Sequence, residues 1–189
     1  MSEHRPVRRV VTGNDAQGRS VVLFDGPAPN TNPRPNGSCF NELWTFDNGP
    51  PRLSDTHDEG SRERPLRHSP PPFGAHFRMI ESRPVDQAIY SPEIAKQNFE
   101  AMNTGGHSQM PVQARESRQF PLHRTISVDY GIIYDGDFNQ VLPDRDVLMH
   151  PGDIIVQLGH IHSWANQSPH NASIAFVMIG SGDAPPKAG

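Results

Sequence analysis

The chain has 189 residues with a formal net charge of −4, and 34% of its residues are hydrophobic. This length suits one domain, and the mild negative charge does not favour binding to nucleic acid or to an anionic membrane. The single cysteine excludes an internal disulfide and favours a reducing compartment. Because no apolar run approaches the length of a membrane span, we expect a cytoplasmic protein.

The first 72 residues are predicted to supply strands and a Pro-rich loop that pack on a later barrel. Two Val-rich runs flank the turn-forming letters GNDAQG, which predicts a hairpin over residues 8–26. CFNELWTF, residues 39–46, predicts a further strand. Residues 47–72 are polar and rich in proline, so we expect a long surface loop with His57 and His68 in solvent.

One helix is predicted in the middle of the chain. Ser91 is a capping residue and Pro92 suits the first helical position. Ile94, Phe99 and Met102 form an apolar stripe, which we assign to packing, and the letters NTGG end the helix.

Short strands dominate the rest of the chain. Residues 73–82 alternate as a strand does, and after Arg118 six runs follow at short spacing: FPLHRTISVDYGIIYDG, DFNQVLP, DVLMH, DIIVQLG, HSWANQ and SIAFVMIG. This spacing predicts an all-β sandwich or barrel. SIAFVMIG is apolar on both faces, which predicts a strand packed on both sides. Residues 181–189 are expected to be disordered.

One of these strands has an unusual polar face. In HRTISVD the alternate residues that share a face are His123, Thr125, Ser127 and Asp129. A half-exposed sheet would place this face in water, which is the more common arrangement. The other interpretation turns the face into a cavity inside a small barrel, where imidazole and carboxylate groups can bind a divalent metal.

These residues and a second stretch, PGDIIVQLGHIHSWAN, resemble the two motifs of the cupins, small jelly-roll β-barrels. The positions that match the first motif are His123, Thr125, Asp129 and Gly136, and those that match the second are Gly152, Gly159, His162 and Asn166. The resemblance covers residues 120–180. Thr125 replaces the usual second histidine, Asp129 replaces the usual glutamate, and the usual proline before the second glycine is absent.

The resemblance implies a cupin-type jelly-roll barrel over residues 73–180, preceded by an extended N-terminal arm. It also implies a metal site of two histidines and one carboxylate, formed by His123, Asp129 and His162, for Fe, Mn, Ni or Zn. His162 and Asp129 are then the candidate catalytic residues. Thr125, Ser127 and Trp164 are the candidate substrate-binding residues, with Trp164 as an aromatic wall or simply as part of the core.

Three functions are open from the sequence, of which we favour the first and keep the other two as alternatives. The first is a metal-dependent enzyme with oxygenase, isomerase, decarboxylase or cyclase chemistry on an enol, phenol or carbonyl compound. The second is metal-free acid–base catalysis by His162 and Asp129, and the third is a small-molecule binder without catalysis. His107 and His160 are weaker candidates for the site, since Gly159 places a turn beside His160. The resemblance also implies a homodimer.

Overall fold

A computed structural model describes residues 4–47, 49–51, 53, 58–61, 64–89, 91–102, 108–109 and 121–183, with the backbone alone at 108–109. Strands dominate these ranges, and one helix lies among them. The strands are β1 (Arg8–Asn14), β2 (Ser20–Pro27), β3 (Asn30–Pro33), β4 (Cys39–Phe46), β5 (Ala75–Ser82), β6 (Ser108–Gln109), β7 (Arg124–Thr125), β8 (Ser127–Asp135), β9 (Phe138–Val141), β10 (Asp146–Met149), β11 (Ile154–Leu158), β12 (Ser163–Asn166) and β13 (Ala172–Gly180). The helix is α1 (Pro92–Met102).

The predicted N-terminal hairpin is confirmed as the antiparallel pair β1 and β2. The carboxylate of Asp15 accepts a hydrogen bond from the backbone amide of Gln17 at 2.9 Å, and Gly18 has a φ of 75°, which favours glycine. This turn therefore forms from the residue types that the sequence places there.

Two larger sheets form the barrel. Six strands pair in the order β11-β8-β13-β5-β4-β3, and three pair in the order β10-β9-β12. Strands β3 and β4 lie before residue 72, so the N-terminal segment supplies two strands of the larger sheet. The two-stranded pair β6-β7 stands apart from both sheets.

The core lies between the two sheets and is aromatic at its centre. Trp164 on β12 meets the rings of Phe138 and Phe176 edge-on, with ring centroids 6.3 and 5.9 Å apart. Ile133 on β8 belongs to the same buried cluster. Side chains from both sheets thus share one core, and the all-β sandwich with one short helix is confirmed.

Helix α1 is confirmed with its predicted cap. The amide of Ile94 donates to the hydroxyl of Ser91 at 3.2 Å, which satisfies one of the free amides of the first turn. Phe99 and Met102 are buried, while Ile94 is only partly buried. The helix packs over one end of the barrel, where the ring of Phe99 lies 5.0 Å from that of His68.

The first half of β8 is polar on its inner face and apolar or aromatic on its outer face. Ser127 and Asp129 are buried, whereas Tyr130 and Ile132 are 45% and 47% exposed. The polar face of HRTISVD therefore points inward, and the more common arrangement with that face in water is wrong here. The expectation that β13 packs on both sides is also wrong for the single chain, because Val177 is 38% exposed.

Candidate functional site

A cavity of about 60 Å³ lies between the sheets at the inner face of β8. Most of its wall is apolar, supplied by Phe40, Ile80, Ile174, Phe176 and Met178 among others. This volume suits several water molecules or part of a small planar ligand. Among the described residues, eight with polar side chains also line the cavity, and these decide what can bind: His68, Arg78, Ser82, His123, Thr125, Asp129, Gln157 and His162.

Two of the predicted residues, His123 and His162, stand side by side on this wall. Their backbones exchange two hydrogen bonds of 2.9 Å, and their ring centroids are 4.8 Å apart. Nδ1 of His123 lies 3.0 Å from the carbonyl of Pro121, and Nδ1 of His162 lies 2.9 Å from the carbonyl of His160. Because a carbonyl only accepts, both Nδ1 atoms carry the hydrogen and both Nε2 atoms keep a lone pair.

Both imidazoles are held in the neutral form. Burial lowers the pKa of His123, and burial together with the neighbouring His123 holds the pKa of His162 well below its ordinary value. A neutral imidazole with an anchored Nδ1–H can accept a proton, or bind a metal, at Nε2.

The predicted carboxylate, Asp129, lies on the inner face of β8 and is 2% exposed. Ser127 donates its hydroxyl to Oδ1 at 2.6 Å, and Thr125 donates to Oδ2 at 3.2 Å. Burial raises the pKa of Asp129 to about 6, although the two hydroxyls and Arg78 act in the opposite direction. Asp129 can therefore hold or release a proton near neutral pH. Thr125 lines the cavity with it, while Ser127 acts only through its bond to the carboxylate.

His68 is a site residue that the sequence interpretation missed. It was expected in solvent, yet it is 7% exposed and its ring lies 4.9 Å from that of His123. Burial and the neighbouring His123 hold its pKa well below the ordinary value. The residue follows a polar, Pro-rich stretch, and no periodicity in that stretch marks it as buried.

Arg78 lines the cavity as one half of a buried ion pair. Nε of Arg78 on β5 lies 3.0 Å from Oε1 of Glu42 on β4, and both residues are less than 10% exposed. His76 contacts the same guanidinium, and burial followed by Arg78 lowers the pKa of His76 to about 2. The positive charge of Arg78 is thus already matched within the protein, and the site holds no free cation among these groups.

Two further polar side chains on the wall have no hydrogen-bond partner in the described part of the chain. Neither amide atom of Gln157 is bonded, and the indole Nε1 of Trp164 is also unpaired. Gln157 is 1% exposed and Trp164 is 8% exposed. Trp164 is therefore both a core residue and a cavity residue, which combines the two roles expected for it. Gln157 was not among the predicted site residues.

The predicted metal set does not assemble as a three-ligand site. Among the described residues, no group of three His, Cys, Asp or Glu side chains is arranged to hold a metal ion. His123 and His162 offer suitable Nε2 atoms, and each carboxylate oxygen of Asp129 accepts one hydroxyl hydrogen bond and keeps a further lone pair. The donor atoms thus suit a divalent metal in kind, but the set His123, Asp129 and His162 does not fit one in arrangement.

The weaker histidine candidates lie at the margin or outside the described residues. Nε2 of His160 lies 3.3 Å from the amide of Gln140, and the ring stands 5.1 Å from that of His162, away from the cavity wall. Gly159 has a φ of 62°, which confirms the predicted turn. His57 and His107 lie outside the described residues, as do residues 184–189 of the tail.

The described residues include no helix with both the length and the apolar character required to cross a membrane.

Comparison with known proteins finds similarity over part of the chain. It is 37% identical over 67 residues to the cupin-domain-containing oxidoreductase fogC of Aspergillus ruber, which covers 33% of each chain. It is 43% identical over 59 residues to the cupin-domain-containing oxidoreductase srdD of Neurospora crassa, covering 31% of this chain and 30% of the relative. It is 37% identical over 76 residues to the phomopsin biosynthesis cluster protein C' of Diaporthe leptostromiformis, covering 40% of each. The matched segments thus span about a third of these curated relatives.

Two solved structures overlap nearly the whole chain. The cupin domain of Schizosaccharomyces pombe Cnp3 overlaps 97% of this chain and 100% of its own, with 10% identity and a TM-score of 0.42. A putative ethanolamine utilization protein Q from Salmonella typhimurium overlaps 94% and 99%, with 6% identity and a TM-score of 0.43. No protein-family model matches the chain. The sequence similarity to curated cupin-domain proteins, together with the barrel and its two motifs, supports the assignment of the chain to the cupin superfamily.

Proposed function

We propose that this chain is a small-molecule enzyme of the cupin type that transfers protons on a planar carbonyl, enol or phenol compound. One observation carries the proposal: two imidazoles with anchored Nδ1–H groups and one buried carboxyl line the same small, largely apolar cavity. The names of two curated relatives, which are cupin-domain-containing oxidoreductases, support an enzyme over a binder.

In this proposal His162 is the base and Asp129 is the acid. Nε2 of His162 takes a proton from the carbon next to the substrate carbonyl, and the C–H electron pair forms the C=C bond of an enol. The carbonyl oxygen becomes a hydroxyl by taking the proton of the Asp129 carboxyl. His123 lies beside His162 and is a second base of the same kind. No hydrogen bond joins Asp129 to either histidine among the described residues, so base and acid can act on two different substrate atoms.

Solvent deuterium exchange tests this proposal. Purified protein in D₂O is incubated at pD 6 with planar aryl ketones, headed by 1-indanone, 1-tetralone and 4-chromanone, and loss of the Cα–H signal is followed by NMR. We expect the wild type to exchange the Cα–H of at least one ketone faster than buffer does. The exchange rate should be about 100-fold lower, or lower still, in His162→Ala and in Asp129→Asn.

His150→Ala is the matched control, because His150 is exposed and bonded to Asp137 on the outside of the barrel. It should keep the wild-type rate. An equal loss in His150→Ala would show that the effect is not specific to the cavity. Exchange at the buffer rate with every ketone would contradict the proposal and favour a binder without catalysis.

A metal-dependent enzyme is the second candidate function. This candidate is favoured by the hydrogen bonds from Nδ1 of His123 and of His162 to backbone carbonyls. A histidine that binds a metal through one ring nitrogen commonly donates its other ring N–H in this way. The three-residue set is not assembled, so we assign no step to a metal. Elemental analysis of untagged protein, purified without chelator, tests this candidate beside His162→Ala. About one equivalent of Fe, Mn, Ni or Zn in the wild type, lost in the variant, would replace the metal-free proposal.

The outer face of the larger sheet suits a second copy of this chain. Ile154, Val156 and Leu158 on β11 are 70%, 53% and 73% exposed, and they continue the apolar row of Tyr130 and Ile132 on β8. An apolar face of this kind is rare on a monomer. We expect a homodimer by light scattering at tens of micromolar and a monomer for Val156→Glu. A monomeric wild type would contradict this part of the proposal.

A further inference from the structure

Gln157 stands at the point where a polar side chain is least expected. Strand β11 reads IIVQL, and its outward residues Ile154, Val156 and Leu158 are exposed. Gln157 alternates with them and points into the cavity, where it is 1% exposed. The strand thus buries its amide and exposes its large apolar side chains.

The buried amide of Gln157 has no hydrogen-bond partner among the residues that the structure describes. Both Oε1 and Nε2 lack a hydrogen bond within the described part of the chain. A buried amide without partners costs free energy, and native proteins rarely leave such a group unpaired unless a ligand or water completes it. Both ends of the amide are unpaired, so the side chain offers one donor and one acceptor side by side.

The position of Gln157 relates it to the proposed acid. Gln157 and Asp129 are directly paired across strands β11 and β8, and their side chains share the inner face. Directly opposed side chains in an antiparallel pair have Cβ atoms about 5 Å apart. A ligand bound by the amide is therefore held next to the Asp129 carboxyl. Trp164, whose indole N–H is also unpaired, supplies an aromatic wall to the same cavity.

The charges on the wall disfavour an anionic ligand. Arg78 is the arginine on the described part of this wall, and Glu42 already matches its charge, so the described wall offers no unpaired guanidinium to balance a carboxylate. The fitting partner for the amide is thus a neutral group that carries an adjacent N–H donor and carbonyl acceptor.

We infer that Gln157 is a specificity-determining residue that binds the cis-amide edge of a planar, neutral lactam or amide through two parallel hydrogen bonds. The N–H of the ligand donates to Oε1, and the carbonyl of the ligand accepts from Nε2. This inference rests on the proposed function for its site, since it assigns the substrate class of the same cavity, but it concerns binding and not turnover.

Calorimetric titration with two isosteric probes tests the inference. 2-Pyridone carries the N–H and carbonyl pair, while 2-pyranone has a ring oxygen in place of the N–H and the same shape. We expect the wild type to bind 2-pyridone at least about tenfold more tightly than 2-pyranone, since a lost buried hydrogen bond to the amide has an effect of that order. Gln157→Leu should lose the preference or reverse it, because an apolar wall favours the less hydrated pyranone.

Gln140→Leu is the matched control. Gln140 is a buried glutamine, 4% exposed, that does not line the cavity and is bonded to His160. It should keep the preference for 2-pyridone. Thermal unfolding of each variant shows whether it is folded.

Three results would overturn the inference: no binding of 2-pyridone at millimolar concentration, no preference in the wild type, or an unchanged preference in folded Gln157→Leu. Ketone exchange without any preference for 2-pyridone would overturn this inference and leave the proposed enzyme intact. A Gln157-dependent preference without exchange of any ketone would retain the inference and contradict catalysis.

Discussion

Replacing Asp129 by Asn should stabilise the protein in a pH-dependent way. Asp129 is 2% exposed, and burial raises its pKa from 3.8 to about 6. Below pH 3.8 the carboxyl is neutral in both the folded and the unfolded chain and costs nothing. Between pH 3.8 and about 6 the unfolded chain ionises while the buried carboxyl keeps its proton, so stability falls over this window. Above pH 6 both states are ionised and the loss levels off.

The magnitude follows from the size of the shift. A shift of about two units corresponds to about 3 kcal/mol of lost stability above pH 7, and to about half of that at pH 5. Asparagine keeps the shape, and its amide can accept from Ser127 and donate to the Thr125 hydroxyl, so both contacts of the carboxylate can be replaced. The free energy of unfolding of Asp129→Asn should therefore be about 3 kcal/mol higher than that of the wild type at pH 8.

Urea unfolding at pH 5 and pH 8 measures this difference. Asp144→Asn, at an exposed position, controls for the general loss of one negative charge. The reasoning is refuted if the advantage of Asp129→Asn is the same at both pH values, or if the variant is less stable than the wild type at pH 8.

Three further predictions concern the same barrel. Arg78→Met should destabilise the fold by about 3–5 kcal/mol in urea unfolding, because it leaves Glu42 buried and unpaired; a loss below 1 kcal/mol would count against a buried pair. Gly180→Ala should cost about 1–3 kcal/mol, since an added Cβ would lie 2.0 Å from the backbone oxygen of Pro71; an unchanged melting temperature would contradict that contact. Gln157→Leu should be neutral or stabilising by about 1–3 kcal/mol without ligand, as no hydrogen bond is lost; a clear destabilisation would show that the amide is structurally bonded.

Local patterns predicted most of the fold. The hairpin turn at Asp15 and Gly18, the cap at Ser91 and the short runs of strand depend on neighbouring residues alone, and each is confirmed. The inward direction of Asp129 was one of two interpretations, because alternation defines the members of a face but not the side on which the core lies. The same holds on β11, where Val156 and Leu158 alternate with Gln157 and only the structure shows that the amide is the buried side.

The residues that were missed depend on contacts between distant segments. His68 is buried because α1 places Phe99 over it and the segment before β7 places His123 beside it. Arg78 lies on the inner face of β5, where a charge needs a partner. The register of β4 and β5 places Glu42 directly opposite and supplies that partner. A polar, Pro-rich sequence around His68 gives no sign of either contact, so sequence patterns indicate a surface loop.

The metal prediction shows the limit of motif spacing. The resemblance to the cupin motifs implied that His123, Asp129 and His162 would share a site, and all three line one cavity. Spacing does not define how side chains converge, and among the described residues no three of these ligand types are arranged to hold a metal ion. The three residues are therefore neighbours in one site without forming a ligand set.

The pH profile of ketone deuterium exchange tests the central claim most directly. If Asp129 is the acid, it must be protonated to act, so kcat/KM should fall tenfold per unit as the pH rises above about 6. The residual activity of Asp129→Asn should lack this fall. A wild-type rate that stays level or increases from pH 6 to pH 8 would contradict the assignment of Asp129 as the proton donor.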